Sequence, residues 1–214
     1  MTQSLHIWGR MSSINVRKVV LCAQWLGLKF ERTDAGRQFG IVKTPAYVAL
    51  NPNAMIPTME DGDFVLLESN AIVRYLCAKH ALGTLYPTDL RQRFDAERWM
   101  DWQQTALNRA TGAAFIQWIR TPTEQRDHAQ IAQSVAATEP LLSMLDAHLA
   151  TRAFMAGDAA TMADFPIACE IDRWWGLPAA NPAQAASSYP HIQRWYARIS
   201  ARPASSTVLN LPQT

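Results

Sequence analysis

The sequence predicts an α/β domain of order βαβαββα followed by an all-helical domain. Three observations predict it. Strand-length and helix-length apolar patterns alternate over the first eighty residues, an Asp-Gly turn separates two short runs late in that stretch, and no strand pattern appears beyond Pro87. The charge pattern changes at the same place: through His80 there are nine Lys and Arg against six Asp and Glu, beyond it eleven against twelve, and every basic residue after Lys79 is arginine. The expected domains are therefore residues 1–82 and 88–214.

Each element has its own signal. Ser4 to Trp8 is an apolar strand closed by Gly9. Val16, Val19, Val20 and Ala23 follow helical spacing, and Gly27 stands where a glycine ends a helix. Lys29 to Thr33 is a second strand, followed by a polar loop through Gly40 and a short helix before Asn51-Pro52. Ile56 to Glu60 and Phe64 to Leu67 form a hairpin around Asp61-Gly62-Asp63. Ile72, Tyr75, Leu76 and Lys79 mark a helix with Ser69 as its N-cap. In the second domain, Phe94 to Phe115 carries Trp99, Trp102 and Ala106 at helical spacing, and Thr138 to Leu149 forms another stripe, kinked at Pro140. Thr161-Met162-Ala163-Asp164 is a capping signal before Phe165 to Trp175, and Tyr189 to Arg202 is a last helix stopped by Pro203.

Composition narrows the function classes. A chain of 214 residues with 49% hydrophobic and 18% charged side chains has enough apolar surface to fold without disulfides or metal. A net charge of +2 is too mild for a general nucleic-acid binder. Three widely spaced cysteines make neither a disulfide framework nor a zinc site. With no long apolar run and no secretory pattern at the start, the expected place is the cytoplasm, with neither membrane nor nucleic acid as partner.

Four segments, taken together, resemble a known family: Gly9-Arg10-Met11-Ser12-Ser13-Ile14-Asn15-Val16-Arg17-Lys18, Asn51-Pro52-Asn53-Ala54-Met55-Ile56-Pro57, Glu68 to Leu76, and the Thr161 to Asp164 cap. In this order they resemble the cytosolic glutathione S-transferases from Ile7 to about Ala204. The first segment is similar to a serine-type, theta-like bacterial group reading GRxxSxNVxKV with a GRxFG loop, here Gly36 to Gly40. The resemblance implies a thioredoxin-like first domain with a mixed four-stranded sheet and a helical domain supplying the electrophile pocket. It also implies a homodimer, glutathione as cosubstrate without metal or organic cofactor, and conjugation to small, hydrophobic, in some members halogenated, electrophiles. A noncatalytic carrier of the same fold, or a glutathione-dependent isomerase or reductase, are the alternatives.

Such chemistry needs a thiolate. A thiol of pKa about 8.5 is mostly protonated at neutral pH, and lowering that by two units takes about 2.7 kcal/mol of preferential thiolate stabilisation. One hydrogen bond to a charged acceptor contributes roughly 1.5–3 kcal/mol and a helix N-terminus about 0.3–1. Ser13, immediately before the first helix, falls in the family's serine column and is the expected donor. The same residue is equally a helix cap, and Ser12, Asn15 and Arg10 are rival donors. By resemblance Pro57 is cis and Ile56 pairs through its main chain with the cysteinyl backbone, while Glu68 and Ser69 hold the γ-glutamyl group. Met55 departs from the lysine of many relatives, so Arg37, with Lys43 and Arg10 behind it, becomes the expected partner of the glycyl carboxylate. Met11, Met100, Trp102, Gln103, Phe115, Trp118 and Trp174 are the residues considered for the electrophile pocket.

Overall fold

The computed structural model describes residues 5–178 and 188–213; Ser4, where the first strand was expected to begin, lies outside them. Strand β1 (Leu5–Trp8) is central, because its inward residues Leu5 and Ile7 are buried and its backbone pairs on both sides. It runs parallel to β2 (Phe30–Thr33) and antiparallel to β3 (Thr58–Asp61), which pairs antiparallel with β4 (Phe64–Leu67), giving the order β2-β1-β3-β4.

Helix α1 (Ile14–Trp25) makes the parallel crossover and ends as its glycine predicts. Gly27 has φ +66°, its N–H reaches Gln24 O at 3.0 Å, and Leu28 N–H reaches Ala23 O at 3.0 Å, the paired bonds of a Schellman ending. Helix α2 (Pro45–Leu50) starts on a Thr44 cap. The hairpin is tighter than expected, since Asp61 belongs to β3 and pairs with Phe64, leaving Gly62-Asp63 as a two-residue turn with Gly62 at φ +67°. Ile56 lies outside the strand altogether. Helix α3 (Ser69–His80) also differs from expectation: Ser69 is its first helical residue, and Glu68, at φ +68°, occupies the cap position.

Beyond Pro87 the described chain carries helices and no strands. A continuous helical run comprises α4 (Leu90–Trp102), a π-turn at 103–107, α5 (Asn108–Phe115) and a second π-turn at 116–120. Helix α6 (His128–Leu149) starts ten residues before the stripe read from sequence and holds Pro140 inside it. Helix α7 (Asp164–Trp175) is almost wholly buried and α8 (Pro190–Ser200) packs beside it. Half of the expected capping box forms: the Asp164 carboxylate accepts from Thr161 N–H at 2.8 Å, while the helix proper begins at Asp164 rather than before it.

Helix α1 packs on α3 within the sheet domain and on α7 across to the helical domain, so the buried apolar residues of both domains form one cluster. Two adjacent cations of α1 tie the domains together. Arg17 pairs with Asp172 at 3.2 Å and also donates to the Met11 and Pro212 carbonyls. Lys18 is fully buried and donates to Gln103 Oε1 at 2.9 Å and Gln104 Oε1 at 3.2 Å.

Candidate active site

A cleft of about 420 Å³ lies where the start of α1, the Gly36–Arg37 loop and the Ala54–Ile56 turn face the α5 region of the helical domain. Each wall has a local cause. Gly9 must be glycine: at φ +145° a Cβ would come within 2.4 Å of Val16, so the chain leaves β1 and enters α1 only if that atom is missing. The following turn, closed by Ser13 N–H to Arg10 O at 3.1 Å, sets Ser13 at the helix cap with φ −96° and ψ 121°.

Ser13 occupies the cap position, but its side chain makes no capping hydrogen bond, and the residue lines the cleft. Its hydroxyl is thus available at the positive end of a twelve-residue helix. Ser12 is half-buried and is not on the cleft wall. Asn15 is, and its Oδ1 accepts from the Ser69 hydroxyl at 3.3 Å, linking the starts of α1 and α3.

The Ile56-Pro57 peptide is cis. A knot of buried polar groups holds the turn before it. Tyr47 Oη donates to Met55 O at 2.7 Å and lies 2.8 Å from Thr58 Oγ1, and Asn51 Nδ2 donates to the same two acceptors at 2.9 Å each. Asn51 Oδ1 accepts from Asn53 N–H at 3.0 Å. With Met55 O occupied, Ile56 lines the cleft with its main chain unpaired among the described residues. Two of the five non-glycine residues with positive φ, Arg37 and Ala54, line this cleft.

The cleft is strongly cationic. Arg10, Arg37, Arg120 and Arg173 line it, with no Asp or Glu among the lining residues. Burial, with repulsion from Arg37, holds the Arg10 guanidinium below its ordinary pKa. Burial, then Arg37, Arg10 and Arg173, lower Arg120 further, to about 10. Arg173 is compensated by Glu170, which also accepts from Thr111 at 2.6 Å and Gln103 at 2.8 Å.

Of the residues singled out in the sequence, Arg10, Ser13, Asn15, Arg37 and Ile56 meet on this cleft. Pro57, Glu68 and Ser69 do not line it; Glu68 is exposed and Ser69 reaches it through Asn15. Most of the seven residues considered for the electrophile pocket lie off the cleft wall. Met100, Gln103 and Trp174 are buried in the core, and Phe115 alone of the seven is on the wall. Sequence reading missed Asn108, Gly112, Ile116 and Arg120, although their four-residue spacing traces one helical stripe, and it missed Arg173.

Comparison with known proteins bears on this site directly. The family model for the glutathione S-transferase N-terminal domain matches residues 12–79, and that for the C-terminal domain matches residues 108–203. Glutathione S-transferase GstB of Escherichia coli is 38% identical over 210 residues, 97% of this chain and 99% of the relative. The chain belongs to the glutathione S-transferase family. A theta class glutathione S-transferase from Xanthomonas axonopodis pv. citri, solved with glutathione bound, superposes with a TM-score of 0.92 at 40% identity, covering 99% of this chain and 100% of that one. A glutathione transferase of Burkholderia graminis, 28% identical, superposes with a TM-score of 0.86 over 99% of this chain and 89% of that one. The likeness runs through both domains and identifies this chain as a glutathione transferase enzyme. No helix among the described residues is long and apolar enough to cross a membrane.

Proposed function

We propose that this transferase binds glutathione between residues 1–82 and the helical domain 88–214, holds its sulfur as a thiolate at Ser13, and transfers that sulfur to a small electrophile. The carrying observation is a serine at a helix start whose hydroxyl makes no cap bond and faces a cationic cleft. The Ser13 O–H donates to the thiolate, the α1 N-terminus adds to its stabilisation, and the thiol proton leaves to solvent. Sulfur then forms a bond to the electrophilic carbon as the bond to the leaving group breaks, and that group, a halide for example, departs with the electron pair.

The Ile56 main chain pairs with the cysteinyl backbone beside cis Pro57, and Glu68 and Ser69 hold the γ-glutamyl ammonium and carboxylate. Arg37, at the mouth, holds the glycyl carboxylate in place of the lysine that Met55 replaces, with Arg10 behind it. Glutathione is the cosubstrate, no cofactor takes part, and the enzyme works in the cytoplasm. Exposed Phe64, Leu90 and Phe94 favour a homodimer that covers them; a single-chain species alone in analytical ultracentrifugation would refute the dimer.

The test is a steady-state assay of glutathione against an aryl halide, a haloacid, an organic hydroperoxide and a mixed disulfide. Turnover of a halide with stoichiometric halide release is expected. Glutathione binding with no turnover of any of the four would leave a carrier, not a transferase.

A further inference from the structure

Residues 10–13 form the β-turn that aims Ser13: Arg10 O accepts from Ser13 N–H at 3.1 Å, with Met11 and Ser12 as the central pair. The peptide joining that pair is the soft point of such a turn. Types I and II differ by a flip of it, and type II needs positive φ at the second central residue. Ser12 is not among the residues at positive φ, so the turn is held with the Met11 carbonyl unflipped. Arg17 holds it, donating from Nε to Met11 O at 2.8 Å.

The other two arms of Arg17 reach parts of the chain remote in sequence. The residue is only 4% exposed. Its Nη1 donates to Asp172 Oδ2 of α7 at 3.2 Å, and its Nη2 donates to the Pro212 carbonyl at 3.1 Å. Asp172 Oδ1 accepts in turn from Tyr196 Oη of α8 at 2.6 Å and from Asn210 N–H at 2.7 Å. Residues 210–213 are thus fixed at two points around one guanidinium. Val208 and Leu209, just before them, are buried in the core, and a Cβ on Gly176 would meet Gln213 at 2.7 Å, so the segment lies directly on the end of α7. A planar guanidinium presents its donors as a rigid fork, so where two arms are fixed the third is fixed as well.

We propose that residues 210–213 are a strap that sets the Arg10–Ser13 turn through Arg17, which makes Arg17 a positioning residue for the serine that holds the thiolate. With the strap seated, Arg17 keeps the Met11 carbonyl in place and Ser13 on the cleft. With the strap released, the central peptide flips and Ser13 turns away. This rests on the role of Ser13 proposed above and requires no particular electrophile.

Asn210 allows the strap to be released without touching the cleft. It stands at φ +61°, which Asn and Gly adopt and proline cannot, and its N–H is one of the donors to Asp172. Asn210→Pro therefore displaces the strap, whereas Asn210→Gly keeps its path. These two variants, Arg17→Met, Arg17→Lys and Ser13→Ala are compared with the wild type. Turnover, the Michaelis constant for glutathione and the pKa of the bound thiol, read from thiolate absorbance, are measured, with thermal melting to confirm folding.

Arg17→Met and Asn210→Pro are expected to lower turnover about tenfold and to move the bound thiol pKa toward that of Ser13→Ala, with the Michaelis constant within about threefold. Arg17→Lys should fall between Arg17→Met and the wild type, and Asn210→Gly should match the wild type. A lower melting temperature with turnover and thiol pKa unchanged overturns the inference and leaves Arg17 a purely structural bolt. A loss in Arg17→Met that folded Asn210→Pro does not share also overturns it, because the strap then has no part. Where either of these two fails to fold, Arg17→Lys decides, a wild-type thiol pKa overturning the inference. If Ser13→Ala itself changes neither turnover nor thiol pKa, the serine reading falls and the inference with it.

Discussion

At the scale of single residues the site turns on which hydroxyl and which cations line the cleft. Ser13 and Ser12 are adjacent in sequence, and no pattern in the chain separates them. The turn after Gly9 does, by setting Ser13 on the cleft with its hydroxyl uncommitted. Ser13→Ala is expected to lower turnover about 100-fold and return the bound thiol toward its ordinary pKa of about 8.5, read from the pH dependence of thiolate absorbance, whereas Ser12→Ala changes neither. Full activity in Ser13→Ala would transfer the role to Asn15 or Arg10. Arg37 is exposed at the cleft mouth with φ +52°. Arg37→Ala should raise the Michaelis constant for glutathione about tenfold with little change in turnover at saturation, because the bond exists in ground and transition state alike. Arg120 shows the limit of residue-level reading: nothing around it in sequence distinguishes it from a solvated arginine, and its meaning comes from three other guanidiniums brought to it by distant segments.

At the scale of elements, local chemistry carried most of the fold. Gly27 ends α1, Gly62 turns the hairpin, and apolar spacing places the helices. Boundaries moved where tertiary partners outweighed local preference. Ser69 is a good cap by type, yet the helix starts on it because Glu68 takes a left-handed conformation and Ser69 bonds Asn15 instead. The start of α7 was legible as a capping signal, but its weight was not. Asp164 is fully buried, and besides Thr161 its carboxylate accepts from Met155 N–H at 3.0 Å and Trp195 Nε1 at 2.7 Å, joining the α6–α7 connection and α8. Asp164→Ala leaves these buried donors unpaired and is expected to cost about 3 kcal/mol in denaturant unfolding. A loss below about 1 kcal/mol would reduce the residue to an ordinary helix cap.

At the scale of the whole molecule, the first motif does two jobs. Gly9 to Asn15 builds the site, and Arg17 with Lys18 bolts that site to the helical domain through Asp172, Gln103 and Gln104. Burial, partly offset by attraction to Glu170, lowers the Lys18 pKa to about 8 from its ordinary 10.5. Between those values the unfolded chain keeps a proton that the folded chain has released, so the contribution of Lys18 to stability rises with pH across that window, by at most about 1.4 kcal/mol per pH unit. Tyr196 and Cys169, raised first of all by burial, act in the opposite sense at alkaline pH, so the check is a difference. The melting temperature of the wild type minus that of Lys18→Met should grow from pH 7.5 to 10; a flat difference would mean that Lys18 stays an ammonium. The sequence by itself determined the two-domain order, most of the strands and helices, the family likeness and five of the first-domain residues on the cleft wall, because these rest on short-range periodicity, turn chemistry and contiguous motifs. Only the tertiary structure decided which serine lines the cleft, which aromatics are core, and that Arg120 has no carboxylate partner among the described residues. Burial and charge balance are sums over residues far apart in the chain, and no local pattern records them.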